Sequence, residues 1–415
     1  MRDVRMKGFA ERADVEDVER FLAEHTRALD REAVPIDACA GRVLARDVAA
    51  EVDVPGFARA AMDGYAVRGE ETFGASTYDP ISLRVVGQAL PGAPFPGRVG
   101  AGCAVRVMTG APVPEGADAV AMAEVCEQRG DSVAITEPVA PHKHVGAVGE
   151  DVRKGETLLR AGRVLRAQDA GLLAAIGVAA PPCVRRPRVR LVITGDELLP
   201  PGSRPTGARI VDSNSVMLAA LAARDGAVVL PHEIVPDRPD AIRAALGAGG
   251  ADAVVVSGGS SVGQEDHAPR LVAELGTLDY HGVSMRPSSP AGVGRIGACT
   301  VFLLPGNPVS CLCAYEFFAG PTLRALGGRS RAWPHRRVSL PLARKISSAV
   351  GRTDYVRVAI EAGRVVPIAT SGASILSSTV RADGCVIVPR ALEGMPEGAL
   401  VEVRLYDDAP FEERP

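Results

Sequence analysis

The sequence predicts a multidomain protein of class α/β plus β. We expect a parallel-sheet α/β ligand-binding domain, an inserted all-β domain, a helical linker domain and a small C-terminal β-barrel. The chain has 415 residues, which is too long for one typical core. Strand, loop and helix patterns alternate between 189 and 318, as in a parallel sheet with helices on both faces. Short strand patterns separated by Pro and Gly fill 46–141 and the tail from 335, which favours two β domains.

Domain boundaries are placed where these patterns change. An apolar spacing of three and four from Val15 to Leu29 predicts the first helix, and Gly177 ends a second helix at 168–176. The β pattern between them therefore looks like an insertion into one helical unit. In chain order, the predicted domains are a helical linker at 1–45, an all-β domain at 46–141, a second helical linker part at 142–183, an α/β domain at 184–334 and a C-terminal barrel at 335–415.

The predicted elements of the three main domains follow from apolar runs and from the Gly and Pro residues that end them. The inserted domain has strands at 81–86, 104–108, 119–125 and 133–135. The α/β domain has strands at 189–194, 228–230, 253–256 and 300–304, and helices at 213–224, 240–246, 270–275 and 311–318. The tail has strands at 337–343, 355–360, 364–368, 385–388 and 400–405.

Composition excludes several classes of function. Lys+Arg is 47 and Asp+Glu is 50, so no basic excess points to nucleic acid, and aromatics at 4% disfavour base stacking. The longest apolar run, 170–184, is interrupted by Gly and Pro and is too short to span a bilayer. The first residues lack an apolar signal core, and the 8 cysteines form no C-x-x-C pair. We therefore expect a cytoplasmic protein with free, mostly buried thiols and no membrane partner.

A glycine-rich stretch at 257–263 follows the apolar strand pattern 253–256. Glycines allow close approach of the backbone to a ligand and expose N–H groups to an anion. The glycine spacing fits the start of a P-loop, but Gln264 stands where the lysine belongs and Glu265 where the Ser/Thr belongs. A glycine cradle beside Glu265 and Asp266 indicates a phosphate-bearing ligand accompanied by a metal ion. The alternative is an ordinary strand-to-helix turn.

Motifs along nearly the whole chain agree with one family. They occur in this order: Ala-Met-Asp-Gly-Tyr-Ala at 61–66, Arg-Val-Met-Thr-Gly-Ala-Pro-Val-Pro-Glu-Gly-Ala-Asp-Ala at 106–119, Thr-Gly-Asp-Glu-Leu at 194–198, Ser-Gly-Gly-Ser-Ser-Val-Gly at 257–263 with Asp266, and Leu-Pro-Gly-Asn-Pro-Val-Ser at 304–310. Together they resemble the molybdopterin molybdenumtransferase family, which includes the C-terminal enzyme domain of gephyrin.

The resemblance implies a reaction and an assembly. The family takes adenylylated molybdopterin and molybdate, releases AMP and leaves molybdenum on the pterin dithiolene, with Mg²⁺ as cofactor. The enzyme is expected to be a homodimer in which the α/β domain holds the pterin nucleotide and the inserted β domain of the other subunit closes over the cleft. The upstream adenylyltransferase is a further candidate partner.

The resemblance also assigns residues. The catalytic candidates are Asp63, Thr109, Glu197 and Asp266, and the metal candidates are Glu197, Asp237 and Asp266. The substrate-binding candidates are Ser257, Gly258, Gly259, Ser261, Gly263, Arg286, Asn307 and Ser377. Acids near a phosphoanhydride make sense only with a cation between them. Each acid could instead be a helix N-cap or a solvated loop residue. Asn307 could cap the next helix or touch the ligand, and a plain turn is the alternative for Ser377.

One loop departs from the family pattern. Where the family has Lys-Pro-Gly-Lys-Pro, this chain has Arg286-Pro-Ser288-Ser289-Pro. Arg286 keeps the first charge, whereas Ser289 replaces the second lysine. Ser288 stands in the glycine position, where its Cβ would disfavour a positive φ. Arg295 is a candidate to compensate for the missing lysine.

Two other functions are alternatives to the transferase. A catalytically weakened paralogue that binds the pterin nucleotide, or acts as a scaffold, would explain the altered 286–290 loop. An adenylyltransferase of the related α/β type, the preceding pathway step, is disfavoured because that type lacks the inserted β domain and the C-terminal barrel. Molybdate and tungstate are similar tetrahedral dianions, and the sequence does not distinguish them.

Overall fold

The computed structural model of the chain describes residues 12–259, 267–369 and 372–407. The chain divides into two compact units. The first, here called the N-terminal unit, comprises Ala33–Ala40 and Arg46–Pro181. The second, the main unit, comprises Met1–Glu32, Gly41–Ala45 and Pro182–Pro415. The finer domain boundaries stay predictions.

The helices are short. The α-helices are α1 Val15–His25, α2 Ala167–Ala175, α3 Asn214–Arg224, α4 Pro239–Gly247, α5 Ala268–Leu275, α6 Pro308–Ala314, α7 Gly320–Leu326 and α8 Ser377–Val380. Turns of 3-10 helix cover Ile36–Ala38, Gly69–Thr72 and Ala123–Val125, and a π-helical turn covers Tyr315–Ala319. In the part of the chain that the structure describes, no helix has the length and apolar character needed to cross a bilayer.

Strands dominate both units. Between 31 and 159 they are β1 Arg31–Ala33, β2 Val48–Ala49, β3 Arg59–Ala60, β4 Gly64–Val67, β5 Ile81–Ala89, β6 Cys103–Val107, β7 Ala119–Met122, β8 Cys126–Arg129, β9 Ser132–Ile135, β10 Val145–Gly146 and β11 Thr157–Leu159. Between 182 and 304 they are β12 Pro182–Val184, β13 Arg188–Thr194, β14 Leu198–Leu199, β15 Ile210–Val211, β16 Val228–Val229, β17 Ile234–Val235, β18 Ala253–Ser257, β19 Thr277–His281, β20 Met285–Arg286, β21 Gly292–Ile296 and β22 Cys299–Leu304. The tail has β23 Arg337–Pro341, β24 Ile346–Ser347, β25 Thr353–Glu361, β26 Arg364–Ala369, β27 Gly384–Val388, β28 Gly394–Met395 and β29 Leu400–Leu405.

The predicted elements all overlap observed ones, with three corrections at their ends. The first helix ends at His25 rather than Leu29, because Thr26 is extended and its hydroxyl bonds the Leu22 carbonyl at 2.5 Å. The strand predicted at 119–125 ends at Met122 and continues as a 3-10 turn. The helix predicted at 311–318 begins at Pro308 and passes into the π-helical turn.

The N-terminal unit is built on a six-stranded sheet in the order β7-β4-β6-β5-β9-β8. Side chains alternate across this sheet, as the pleat requires. Tyr65 and Val67 pack in one buried cluster, whereas Ala66 packs in another on the opposite face. The sheet therefore has an apolar core on each face, which explains why its strands lack a clear polar alternation.

The main unit contains a seven-stranded sheet in the order β16-β13-β18-β22-β21-β19, with β17 also paired to β13. The prediction of a parallel sheet is confirmed for five of the seven strands and wrong for the other two. Strands β16, β17, β13, β18 and β22 are parallel, but β21 is antiparallel to β22 and β19 is antiparallel to β21. The reason is local: only Gly297 and Ala298 separate β21 from β22, and a two-residue connection can join only antiparallel strands.

Helices cover both faces of this sheet, as predicted. Val254 and Val256 of β18 pack with α4 and α5, including Ile242 and Leu271. Ala253 and Val255 face the other way and join the cluster that contains α1, α3 and α6. Burial on both faces explains the continuous apolar run that marked this strand in the sequence.

Five strands of the tail and β20 form a six-stranded sheet in the order β20-β25-β27-β29-β23, with β26 paired to β25. Its apolar side chains form one buried cluster, with Val356, Val386 and Val403 among its members. The predicted tail strands are thus present, and the closed barrel stays a prediction. All 8 cysteines lie in described residues, where none forms a disulfide and five are buried, in agreement with the expected thiols.

Candidate functional site

The parallel register of β13, β18 and β22 creates one edge of the main unit's sheet where the predicted loops meet. Ile193 pairs with Ser257, and Ser257 pairs with Leu304. The three strands therefore end in line, and the loops that start at Thr194, Ser257 and Leu304 leave from the same place. We call this edge the rim. Ligands of α/β sheets bind at such carboxyl ends.

Gly258 brings two of these loops into direct backbone contact. Its φ is +97°, in the left-handed region. A Cβ added there would lie 2.1 Å from the Thr194 carbonyl oxygen. Only glycine fits, so the chain at this position presents backbone rather than a side chain. Gly259, with φ +54°, follows in the same left-handed region, and its carbonyl accepts the Ala268 N–H at 3.3 Å.

Asn214, which the sequence analysis missed, fixes the positions of these strand ends. Its side-chain amide donates to Ser257 Oγ at 2.9 Å and to the Gly306 carbonyl at 2.7 Å. The side chain is buried at 7% exposure. Because a carbonyl only accepts, the Gly306 contact fixes the amide orientation. The sequence feature that could have indicated Asn214 is the run Asp212-Ser-Asn-Ser at the start of α3, where small polar residues precede an apolar helix.

A cysteine lies behind Ser257. The Cys311 Sγ is 3.7 Å from Ser257 Oγ, and burial raises the pKa of this thiol to about 12. The group is therefore a neutral thiol and packs as a small apolar side chain rather than acting as a nucleophile.

The predicted acids occupy the loops after β13 and β17. The Thr194 hydroxyl donates to Asp237 Oδ1, and the Asp237 N–H donates to Asp196 Oδ1 at 3.2 Å. Glu197 is exposed and folds back over Gly195, where an added Cβ would lie 2.8 Å from Oε2. Asp237 and Glu197 thus belong to rim loops, whereas Asp266, Ser261 and Gly263 lie outside the described residues. Within 12–259, 267–369 and 372–407, no group of three or more His, Cys, Asp or Glu side chains is placed to hold a metal ion.

Asn307 and Ser377 lie near the start of α6 and in the tail. Asn307 occupies the N-cap position of α6, but its exposed side chain makes no capping hydrogen bond. The Val309 N–H donates to the Ala373 carbonyl at 2.9 Å, so the tail segment reaches the start of α6. Ser377 is exposed at the first residue of α8. The structure places Asn307 on a rim loop, and a contact of Ser377 with a ligand stays a prediction.

Arg286 is held by an acid of the tail sheet. It donates to Asp354 Oδ2 at 2.6 Å, and Arg352 donates to Oδ1 of the same carboxylate at 2.7 Å. The Asp354 side chain is 1% exposed. Arg286 therefore keeps its charge, but at least one of its N–H groups is bonded to Asp354. This bond makes Arg286 less available to bind an anion.

Ser288 and Arg295 correct two expectations. Ser288 does adopt a positive φ, +88°, and its buried hydroxyl donates to the Ser310 carbonyl. This bond offsets the strain that its Cβ imposes. Arg295 pairs with Thr300, near the start of β22, and donates to Asp279 at 2.8 Å and 3.0 Å. The rim begins at Leu304, four residues along the strand or roughly 13 Å away. Arg295 therefore does not replace the missing lysine at the rim.

The N-terminal unit brings Asp63 and Thr109 together, although they are 46 residues apart. The Thr109 N–H donates to Asp63 Oδ1 at 2.7 Å, and the Thr109 hydroxyl donates to the same oxygen at 2.8 Å. Both hydrogen bonds lower the pKa of Asp63, and the one from the Thr109 backbone N–H has the larger effect. Both residues are exposed, so the pair is an ionised carboxylate held rigidly at the surface.

The fold and the rim define an α/β protein of the class whose ligands bind at the carboxyl ends of parallel strands. Comparison with known proteins narrows this class. Residues 13–177 match the MoeA N-terminal region (domains I and II), 190–325 match a probable molybdopterin binding domain, and 339–406 match the MoeA C-terminal region (domain IV).

Full-length relatives agree. The chain is 36% identical over 404 residues to molybdopterin molybdenumtransferase 2 of Mycobacterium tuberculosis, covering 94% of this chain and 98% of the relative. It is 34% identical over 409 residues to a putative molybdopterin biosynthesis protein of Methanocaldococcus jannaschii, covering 95% and 96%. A solved molybdopterin biosynthesis MoeA protein from Pyrococcus horikoshii superposes with a TM-score of 0.84 at 32% identity, covering 96% and 100%.

The chain therefore belongs to the molybdopterin molybdenumtransferase family and is an enzyme of molybdenum cofactor biosynthesis. The family inferred from the motifs is confirmed. The roles of individual site residues stay predictions.

We predict that Gly258→Ala disrupts the rim, and Gly250→Ala is the matched control. Both glycines have a positive φ, +97° and +89°, so both alanines carry a similar backbone penalty. Only at Gly258 would the new Cβ meet a backbone oxygen, because nothing lies within 4 Å of a Cβ at Gly250. Urea unfolding should show an additional loss of about 1–3 kcal/mol for Gly258→Ala. Equal stability of the two variants would contradict the packing described for the rim.

Proposed function

We propose that the enzyme inserts molybdenum from molybdate into adenylylated molybdopterin and releases AMP. The observation that carries the proposal is the rim itself. Gly258 and Gly259 put backbone N–H groups without side chains at a strand end whose position Asn214 fixes, and Asp237 and Glu197 lie on neighbouring loops. Such N–H groups suit phosphate oxygens. Acids on neighbouring loops suit a ligand that arrives with a cation.

The donor set fits Mg²⁺, the proposed cofactor. This ion binds oxygen ligands and commonly takes one or two carboxylates together with substrate phosphates, keeping several waters. Glu197 and Asp237 would hold it, together with Asp266 by its place in the motif. When bound, Mg²⁺ supplies neutralisation of the charge on the phosphoanhydride. Two described carboxylates are enough for this role, so the lack of a three-acid cluster among the described residues is compatible with it.

The chain's own groups would hold the substrate in place. The backbone around Gly258 and Gly259 would bind the phosphate portion, and Asn307 on the loop after β22 would contact the ligand. In the N-terminal unit, Thr109 keeps Asp63 ionised, and a catalytic role for the pair is proposed from the family resemblance alone. A homodimer, and the upstream adenylyltransferase as a partner, are proposed from the family resemblance alone.

A second function is favoured by the 286–290 loop. Arg286 is paired with the buried Asp354, and Ser289 offers a hydroxyl where the family has a lysine. A dianion therefore meets fewer available cations at this loop. A paralogue that binds the pterin nucleotide but inserts metal weakly is the alternative. Molybdate and tungstate both remain candidate substrates.

The proposed reaction is tested first with Glu197. If this carboxylate helps hold Mg²⁺ at the anhydride, Glu197→Gln should fold normally and release AMP roughly a hundredfold more slowly. The matched control is Glu361→Gln, at an exposed acid that ends β25 of the tail sheet. AMP and pterin-bound molybdenum are measured after incubation with adenylylated molybdopterin, Mg²⁺ and molybdate. AMP release from Glu197→Gln at the rate of the control would remove the assignment.

A separate prediction concerns molybdate. Because Ser288 already adopts the positive φ of the family's glycine, one replacement, Ser289→Lys, should restore the missing cation. We expect the molybdate concentration for half-maximal insertion to fall about ten- to a hundredfold, as for one charge-assisted hydrogen bond. Ser289→Gln, similar in reach but uncharged, should not produce this fall.

Two outcomes would change the account of this loop. Saturation of the natural enzyme at low molybdate, unchanged by Ser289→Lys, would place the anion elsewhere. Pterin nucleotide binding without metal insertion in both versions would establish the paralogue.

A further inference from the structure

The main unit contains a cavity that shares no residue with the rim. Its volume is about 440 Å³, and α1, the segment after α7 and the tail sheet enclose it. This volume lies in the range of pockets that hold small molecules. We call it the α1 cavity. Its walls differ in charge, which is the observation that indicates a ligand.

The α1 wall is acidic. Glu16 and Glu19 lie one helical turn apart and both line the cavity. Burial raises the pKa of Glu19, with the charge of Glu16 as a further cause. Among the residues that the structure describes, Glu19 forms no ion pair or hydrogen bond through its side chain. It is a half-buried acid that feels the charges of Arg331 and Arg404 but touches no cation among the described residues.

A second wall, which contacts α1 through Arg331, is basic. Arg331 is half-buried, burial lowers its pKa, and its guanidinium makes one long hydrogen bond, 3.4 Å to the Leu22 carbonyl. Arg337 and Arg404 also line the cavity, but both lie near Glu402, at 3.4 Å and 3.6 Å. Arg331 is therefore the least compensated cation of this wall, within charge range of Glu19 but not in contact with it.

The floor between these walls is apolar and aromatic. Phe317 and Trp333 meet edge to face with ring centroids 5.0 Å apart, and Pro321 and Ile387 complete the surface. Arg404 covers one face of Trp333 at 4.3 Å from the ring centroid. A ligand lying here would bury an apolar group against the rings while its polar end reached both walls.

We propose that the α1 cavity binds a free α-amino acid with an apolar side chain. The carboxylate would pair with Arg331, the ammonium with Glu19, and the side chain would lie on Trp333 and Phe317. A zwitterion suits the site because the acid and the cation both line the cavity and form no ion pair with each other. A simple anion would leave Glu19 without a partner, and a simple cation would leave Arg331 without one.

The chain supplies its own reporter for this test. Trp333 is the only tryptophan among 415 residues and it lines the cavity, so the intrinsic fluorescence of the full-length protein reports on this place. The probe is L-leucine, which does not absorb in the tryptophan range. N-acetyl-L-leucine lacks the ammonium, and L-leucinamide lacks the carboxylate. We expect saturable binding of L-leucine, with each analogue binding about ten- to a hundredfold more weakly.

Variants assign each end of the ligand. In Glu19→Gln the preference for L-leucine over N-acetyl-L-leucine should disappear, and in Arg331→Gln the preference over L-leucinamide should disappear. Glu24→Gln, at an exposed acid of the same helix, should keep both preferences. The ligand series on the natural protein tests the proposal even if Arg331→Gln does not fold. Binding of either analogue as tight as that of L-leucine would overturn it, as would no saturation by about 10 mM.

Discussion

The parallel register of three neighbouring strands is the constraint on which the main unit depends. Ile193, Ser257 and Leu304 stand side by side, so three loops far apart in sequence leave the sheet from one place. Asn214 secures two of them through hydrogen bonds from one amide. Gly258 lets two loops touch through their backbones. A shift of one residue in any of these strands would exchange its buried faces and separate the loops.

Much of the main unit's sheet and of its rim could be predicted from the sequence, because the patterns that define them are local. The apolar run 253–256 is buried on both faces, and Val254 and Val255 pack into different cores. Strand-loop-helix alternation implied helices on both faces and loops on one edge. The motif around Asp63 and the motif around Thr109 indicated function, and the structure joins the two residues by two hydrogen bonds.

The remaining features depend on contacts that sequence spacing does not encode. Asn214 acts on Ser257 and Gly306, which lie 43 and 92 residues further along the chain. Arg286 looked like a free cation because its partner, Asp354, is 68 residues away. Ser288 keeps a glycine-like conformation because Ser310 offers a carbonyl. The two antiparallel strands were not predicted because glycines at 292 and 294 interrupt the apolar pattern of β21, and β19, Thr-Leu-Asp-Tyr-His, is largely polar.

The central claim is that the pterin nucleotide binds at the rim of the main unit. Hydrogen–deuterium exchange with and without adenylylated molybdopterin, at saturating Mg²⁺ and without molybdate, tests it most directly. The account predicts slower exchange of the amides at 194–197, 257–259 and 306–307, and unchanged exchange in the turn at 297–298 at the other end of the sheet. Protection at 297–298 or in the tail sheet, with the rim amides unchanged, would contradict it.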